Sequence, residues 1–338
     1  MAISPRFPLR LLVDLPNWVG DQVMTLPAVA ELLRANRGGF SVIHSRPPTR
    51  RLFELLFPDA IVVASPPKTS PFRAAWRVAS ATGRADLGVT LRNAWRAKIF
   101  LRCVARCAWG SRGGGGWMLD RSFVIETRAH QSHDHDSMLS ALGLKLEGTA
   151  EAWSLPTSLL AEGREILVGQ GSPGSRHRIG LAPAAASGIS KQWPPERFGE
   201  LARRLMAEGD EPLLVIGPGE EGLAVTVQEA AGKELAVVGL DVDVAGLAGI
   251  LSALDLVVCN DSGPMHLAGI FGTRVVAVFG PTDPRRTSPL GSHHTIVRRD
   301  IDCMPCRRPV CPLGHGDCLG SLEVERVLEA VHRQRESV

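Results

Sequence analysis

The feature that most restricts the fold is a two-fold recurrence of short apolar runs with helix-length segments between them. In the first half these runs are "LRLLVD", "FSVIHS", "AIVVAS" and "DLGVTL". In the second half they are "RIGLAPA", "PLLVIG", "LAVVGL", "LDLVVCN" and "TRVVAVFG". Strands buried on both faces read as continuous apolar runs, and helices between them give βαβ units on a parallel sheet. The alternation stops in "LPTSLLAEGREILVGQGSPGSRHR", where Pro and Gly collect as in a linker, and then restarts. A chain of 338 residues also fits about two domains of roughly 150 residues each. The pattern predicts an α/β chain of two doubly wound domains facing a common cleft. An N-terminal domain is expected over 1–160, a linker over 161–177 and a second domain over 178–320. A last helix over 321–338 is expected to pack back toward the first domain. Ligands in such sheets sit beyond the carboxyl ends of the strands.

Charge and cysteine content exclude several classes. The net charge is +3, which argues against a nucleic-acid partner. The seven cysteines are odd in number and four of them fall in one tail segment, which is not a secreted disulfide framework. The apolar run after Arg10 is cut by Asp14 and Pro16, against a signal peptide. No stretch reaches the ~18 apolar residues of a membrane span. The expected location is cytosolic, against a membrane face where the chain meets one.

Five loops carry the candidate chemistry. After the first strand, "LPNWVGDQVMTLPAV" sets Asp21 at the start of a helix, as an N-cap or as a general base. After "RIGLAPA", the small-residue loop "AASGISKQWPPERF" offers Ser187 and Lys191 to an anion. After "PLLVIG", "GPGEEG" has the spacing of a dinucleotide fingerprint, with Asp241 about 20 residues on. Glu220 and Glu221 would then repel a pyrophosphate, so they read as first-turn helix acids, one of them free to bond ribose hydroxyls. After "LDLVVC", "NDSGPMHLAGIFG" places Asp261 or Ser262 as N-cap, Pro264 in the first turn, Gly263 with an approachable N–H, and His266 one turn on. "GPTDP" follows the next strand, with Thr282 and Asp283 in a rigid turn that closes the same pocket.

"NDSGPMHLAGIFGTRVVAVFGPTDP", "PNWVGDQVMTLPAV" and "SKQWPPERF" together resemble the ADP-heptose:lipopolysaccharide heptosyltransferases of glycosyltransferase family 9, nearest the heptosyltransferase II branch. The resemblance implies a GT-B fold with two Rossmann-like domains. It implies inverting, metal-independent transfer of heptose from ADP-L-glycero-D-manno-heptose to the lipopolysaccharide inner core, with no required cofactor. By the same resemblance Asp21 is the general base and Lys191 with Ser187 the phosphate loop. Asp261, Ser262, Gly263 and His266 form the nucleotide-sugar loop, and Glu220 or Glu221 is the ribose contact. Position 186 is Ala, where relatives can carry a second hydroxyl.

Other segments fit that function less directly. A basic helix over 93–108, with Arg92 and Arg112, reads as a solvated face or as a contact to an anionic acceptor and its membrane. "CMPCRRPVCPLGHGDC" sets Cys303, Cys306, Cys311 and Cys318 with His315 between them, as free thiols or as a structural zinc or iron–sulfur site. "HQSHDHD", with His130, His133 and His135, reads as an acceptor-side or surface loop. Two rival functions remain at this stage. They are an NAD-dependent oxidoreductase, resting on "GPGEEG" and Asp241, and a non-catalytic sugar-nucleotide or lipopolysaccharide binder.

Overall fold

The computed structural model describes residues 6–125, 127–146, 153–168, 170 and 175–336. The chain divides into two units, Met1–Thr149 and Ala150–Val338. In the first unit the elements run β1 (Arg10–Asp14), α1 (Val19–Ala35), β2 (Phe40–Ser45), α2 (Arg50–Leu56), β3 (Ala60–Ala64) and α3 (Pro71–Thr82). They continue with β4 (Ala85–Thr90), α4 (Trp95–Val104), β5 (Ala105–Ser111), β6 (Arg121–Phe123) and α5 (Asp136–Ala141). All pairings are parallel, in the order β3-β2-β1-β4-β5-β6. Leu12, Val42 and Val63 of the sheet share one apolar cluster with Ala74, Ala75 and Val78 of α3 and Phe100, Leu101 and Val104 of α4.

The second unit repeats the plan. It begins with α6 (Thr157–Leu167), β7 (Arg178–Ala182), α7 (Pro195–Ala207), β8 (Glu211–Val215), α8 (Glu221–Ala231), β9 (Val237–Val238) and α9 (Val244–Ser252). It continues with β10 (Leu256–Asn260), α10 (Gly263–Ile270), β11 (Arg274–Phe279), α11 (Pro284–Thr287), β12 (His294–Arg298), α12 (Asp317–Gly320) and α13 (Val324–Glu336). The sheet order is β12-β11-β10-β7-β8-β9, again parallel. In each sheet the strand order reverses at one place, between β1 and β4 and between β7 and β10. There the connecting loops part and leave a crevice at the carboxyl ends.

Several expectations change. The basic segment 93–108 is helical only over Trp95–Val104, and the chain passes directly into strand β5 at Ala105. The four-residue spacing of Arg102 and Arg106 imitates a continuing helix, but Ala108 and Trp109 are buried as sheet residues. Lys98 of that basic face is buried rather than solvated, its ammonium donating to Gly113 O. Strands β6 and β12 had no apolar run to announce them, since "RSF" and "HTIVR" carry their own charges. Asp241 does not end β9, which stops at Val238.

The expected linker 161–177 is in part a helix. α6 packs on α9 because Gly163 and Gly249 let the two backbones touch: a Cβ on Gly163 would fall 2.1 Å from Gly249 C and O. The last helix packs into the core of the second unit. Val327, Leu328, Ala330 and Val331 join the cluster of Trp193, Phe198 and Val276. The α6–α9 contact gives a stability test. Gly163→Ala is expected to destabilise the second unit by about 1–3 kcal/mol through overpacking against backbone. Gly222→Ala in α8, where a Cβ meets nothing within 4 Å, is expected to be neutral or stabilising by up to ~1 kcal/mol. Urea denaturation of the two variants checks the contrast, and equal midpoints would remove the backbone contact as the cause.

Candidate functional site

In the second unit the crevice between β7 and β10 is spanned by an ion pair. Lys191 ends a 3₁₀ turn, Ile189–Lys191, and its Nζ donates to Asp261 Oδ2 at 2.7 Å. Thr282 Oγ1 donates to the same oxygen at 2.7 Å. Asp261 is buried, and the lysine side chain is 22% exposed. The lysine is thus aimed from a partly open position by a carboxylate that is not. Its loop is fixed from behind by Trp193, which is fully buried and donates Nε1–H to Leu322 O. Asn260 completes the support: its Oδ1 accepts from Trp193 N and its Nδ2 donates to Pro183 O. The Lys-x-Trp-Pro segment therefore works as a charge on an apolar anchor. Gly188 is held at φ 149°, and a Cβ there would meet Pro309 O at 2.5 Å.

Helix α10 begins beside this pair. Ser262 occupies the N-cap position, but its side chain makes no cap bond, and its hydroxyl donates to Asn260 O at 3.1 Å. Neither Ser262 nor Asp261 is the side-chain cap expected from sequence. The helix start at Gly263 and Pro264 is left without one, which suits an anion. His266 is buried at 4% exposure, one turn into the helix. Ser187 is exposed on the loop that carries Lys191.

The "GPGEEG" loop closes on itself. Glu220 Oε2 accepts from Gly217 N at 2.8 Å, and Glu221 Oε1 from Gly219 N at 3.2 Å. The glycine N–H groups that a dinucleotide would need are therefore already bonded to carboxylates. Those backbone bonds, to its own N–H and to Gly219, hold the Glu221 carboxyl below its ordinary value. This removes the main support for the oxidoreductase reading.

In the first unit Asp21 lies in the first turn of α1, whose N-cap position is Trp18. Asp21 is thus not the cap. Its Oδ1 accepts from Gln131 Nε2 at 2.9 Å. Gln131 opens the 3₁₀ turn Gln131–His133 within the histidine run, so that run packs on α1 beside Asp21. The histidines are engaged locally. His130 Nδ1 accepts from Ser132 N, and His133 Nδ1 lies 3.0 Å from Asp136 Oδ2. Burial pushes the His135 imidazole down to about 4, so it is neutral at pH 7. Gln131 escaped the sequence reading because an amide does not titrate and the neighbouring histidines drew the attention.

In the same unit, the crevice between β1 and β4 holds a polar cluster around the buried Asp14. Asp14 is fully buried at the end of β1. Its Oδ1 is 2.7 Å from His44 Nδ1 and 2.9 Å from Arg92 Nη2, and its Oδ2 accepts from Thr90 Oγ1 at 2.8 Å. His44 Nε2 continues to Ser65 Oγ at 2.9 Å, and its ring stacks on Phe100. Burial alone would raise the Asp14 carboxyl, but Arg92, His44 and Thr90 bring it below its ordinary value. The parallel register makes the cluster, pairing Asp14 with His44 on one side and with Thr90 on the other. A signal was present in the sequence: three successive apolar runs carry a polar residue at or near their carboxyl ends.

The cysteine segment lies against the Lys191 loop. Ser190 N donates to Pro309 O at 3.2 Å, and Arg307 N to Pro281 O at 2.8 Å. Cys303, Cys306, Cys311, Cys318 and His315 line a cavity of about 220 Å³ that also touches Ser190. Backbone N–H groups, those of Gly316 and Leu313 foremost, hold the Cys311 thiol below its ordinary value. None of the seven cysteines is joined in a disulfide. Among the described residues no group of three or more His, Cys, Asp or Glu side chains is arranged to hold a metal ion.

Residues 76–316 match the family described as glycosyltransferase family 9 (heptosyltransferase). The chain belongs to glycosyltransferase family 9. It is therefore a glycosyltransferase, and the reading as a non-catalytic binder falls away. It is 26% identical over 327 residues to lipooligosaccharide heptosyltransferase 2 of Campylobacter jejuni, covering 95% of this chain and 97% of that one. In fold it is similar to a family 9 glycosyltransferase from Veillonella parvula, with a TM-score of 0.85, 18% identity and 98% of each chain covered. It is likewise similar to the ADP-heptose lipopolysaccharide heptosyltransferase II of Escherichia coli, with a TM-score of 0.76, 19% identity, and 96% and 98% of the two chains covered. The two sheets of this glycosyltransferase are those of the expected GT-B fold.

Proposed function

We propose that this family 9 enzyme transfers heptose from ADP-heptose to the inner core of lipopolysaccharide at the cytoplasmic face of the inner membrane. Transfer proceeds with inversion and without a metal. The observation that carries the reading is Lys191, held by Asp261 and Thr282 beside the start of α10. Breaking the anomeric C–O bond leaves positive charge on the sugar and negative charge on ADP. A fixed ammonium and the positive end of a helix stabilise that leaving charge as it forms, the task a metal performs elsewhere. Ser187, Ser262, Gly263 and His266 are assigned to the same diphosphate sugar, and Glu220 or Glu221 to the ribose. The ribose role requires that carboxylate to give up its bond to the glycine loop.

The acceptor hydroxyl must lose its proton as it attacks the anomeric carbon. Asp21 is assigned as that base. Gln131 Nε2 donates to its Oδ1 and fixes the carboxylate at the start of α1. The names of the similar proteins support the substrate class on both sides. The deciding experiment is incubation with ADP-heptose and truncated lipopolysaccharide acceptors, read by mass. A product heavier by one heptose is expected. Titration with NADH alongside ADP is expected to show binding of ADP alone. Absence of any sugar transfer, or tighter binding of NADH than ADP, would overturn the reading.

A further inference from the structure

The first unit carries an unusual front of charge and aromatic side chains. Between residues 61 and 119 there are ten Lys and Arg against one acid, Asp86, although the whole chain carries only +3. The rest of the chain is therefore net acidic, and the basic excess is concentrated here. Five large aromatic side chains of this unit are exposed: Trp18 at 58%, Phe72 at 66%, Trp76 at 73%, Trp95 at 54% and Trp117 at 87%. Their positions follow one rule. Trp18 comes after β1, Phe72 and Trp76 after β3, Trp95 after β4 and Trp117 after β5. They therefore stand in or one turn past the loops at the carboxyl edge of the sheet, the edge that also bears Asp21.

Helix α3 shows the pattern most plainly. Ala74, Ala75 and Val78 are buried in the core, while Phe72 and Trp76, one turn apart, stay exposed on the other side. Arg73 and Arg77 are exposed beside them, Lys68 precedes the helix, and no acid interrupts the run. On the neighbouring helix Arg96 lies 5.7 Å from the Trp95 ring centroid, and Arg112 is exposed near Trp117. Not every cation of the segment is available. Lys98 is buried, Arg92 is paired with Asp14, and Arg102 and Arg106 are paired with Asp120 and Asp86. Arg84 donates to Ala105 O, at the start of β5. That leaves Lys68, Arg73, Arg77, Arg96 and Arg112, all exposed and each within five residues of an exposed aromatic side chain.

We infer that this edge of the first unit docks on an anionic lipid bilayer. Phe72 and Trp76 enter the headgroup region, and the surrounding arginines meet lipid phosphates. Three physical facts favour lipid over an acidic protein. Aromatic rings with one polar end prefer the membrane–water interface. Arginine and lysine keep their charge in the headgroups while laying their stems on apolar surface. The aromatic residues also come from four separate loops of one edge, a broad front, whereas a peptide ligand requires a continuous groove. Among the described residues no helix is long and apolar enough to cross a membrane, so contact would be superficial. The inference deepens the proposed function and rests on it only in taking the acceptor to be a lipid. The binding can be tested without that premise.

The test is co-sedimentation of the full chain with phosphatidylcholine vesicles, with and without about 30% phosphatidylglycerol, at ~0.1 M salt. Binding is expected only to the acidic vesicles and is expected to weaken at least tenfold at ~0.5 M salt. The double variant Phe72→Ser, Trp76→Ser and the double variant Arg73→Gln, Arg77→Gln are each expected to bind at least tenfold more weakly. Both should keep wild-type thermal transitions and wild-type transfer to a deacylated, soluble acceptor. Failure of the wild type to sediment with acidic vesicles would overturn the proposal. So would sedimentation unaffected by the Phe72 and Trp76 changes, or equally tight binding to polyglutamate. A concentration-dependent dimer lost in the Phe72, Trp76 variant would assign the face to a second copy and overturn it as well. A chain that binds vesicles but transfers no heptose would sink the proposed function and leave the docking surface standing. Transfer without vesicle binding would do the reverse.

Discussion

Asp21→Ala is expected to leave ADP affinity unchanged while the turnover number for heptose transfer falls by about 10²–10⁴-fold. The reasoning separates two steps. In the proposed function ADP is held by groups of the second unit, Lys191 and the start of α10, while Asp21 belongs to the first. Loss of the carboxylate removes the acceptor for the alcohol proton and leaves leaving-group stabilisation intact. An effect confined to chemistry should lower kcat with little change in donor KM. Calorimetric ADP titration and steady-state transfer measure the two halves. Near wild-type turnover in the variant would take Asp21 out of the mechanism. Equal loss of ADP binding would show that the substitution disturbs more than the base.

The second large effect concerns folding. Asp14→Leu is expected to destabilise the first unit by about 3–5 kcal/mol, because it strands the largely covered Arg92 and the buried His44 without their shared carboxylate. Of order 10 °C in the transition temperature of that unit should follow. A pH signature accompanies it. In the folded chain Asp14 sits below its ordinary value: burial opposes this, but Arg92, His44 and Thr90 outweigh the burial. A carboxyl lowered by folding contributes stability that is fully present above its unfolded value of about 3.9. That contribution is lost as pH falls through the folded value. The wild type should therefore lose stability in this acid range more steeply than the variant. Calorimetry between pH 7 and pH 3 tests it, and parallel curves for the two proteins would show that the cluster does not hold Asp14 charged.

The buried cluster also explains why the Asp21 loop can be presented without a capping side chain. Arg92, drawn to Asp14, donates to Leu15 O at the base of that loop. Arg46, from the end of β2, reaches Asn17 in the same loop through Nε at 3.0 Å. The loop leading to α1 is thus held by guanidinium groups from the neighbouring strands, and the first turn of the helix presents the carboxylate proposed as the base.

What could be read from the sequence was local, and what could not was set by pairing at a distance. Apolar runs such as "LDLVVCN" and "TRVVAVFG" announced strands because a strand buried on both faces must be apolar throughout its length. The loops after them announced candidate sites because such sheets open at their carboxyl ends. The resemblance to glycosyltransferase family 9 rested on three such loops in a fixed order, and the family match over 76–316 bore it out. Edge strands β6 and β12 were hidden because an edge strand need not be apolar on both faces. Helix α6 passed for a linker because the reason it packs, Gly163 against Gly249, lies 86 residues away in sequence. The Asp14–His44–Arg92 cluster, the Gln131 bond to Asp21 and the Lys191–Asp261–Thr282 contact are all long-range. Each depends on strand register or loop packing, which place polar groups side by side only once the sheets have formed. Sequence alone thus determined which residues stand at the ends of strands. Tertiary structure alone decided which of them touch, since a hydrogen bond is set by fractions of an ångström that no spacing along the chain encodes.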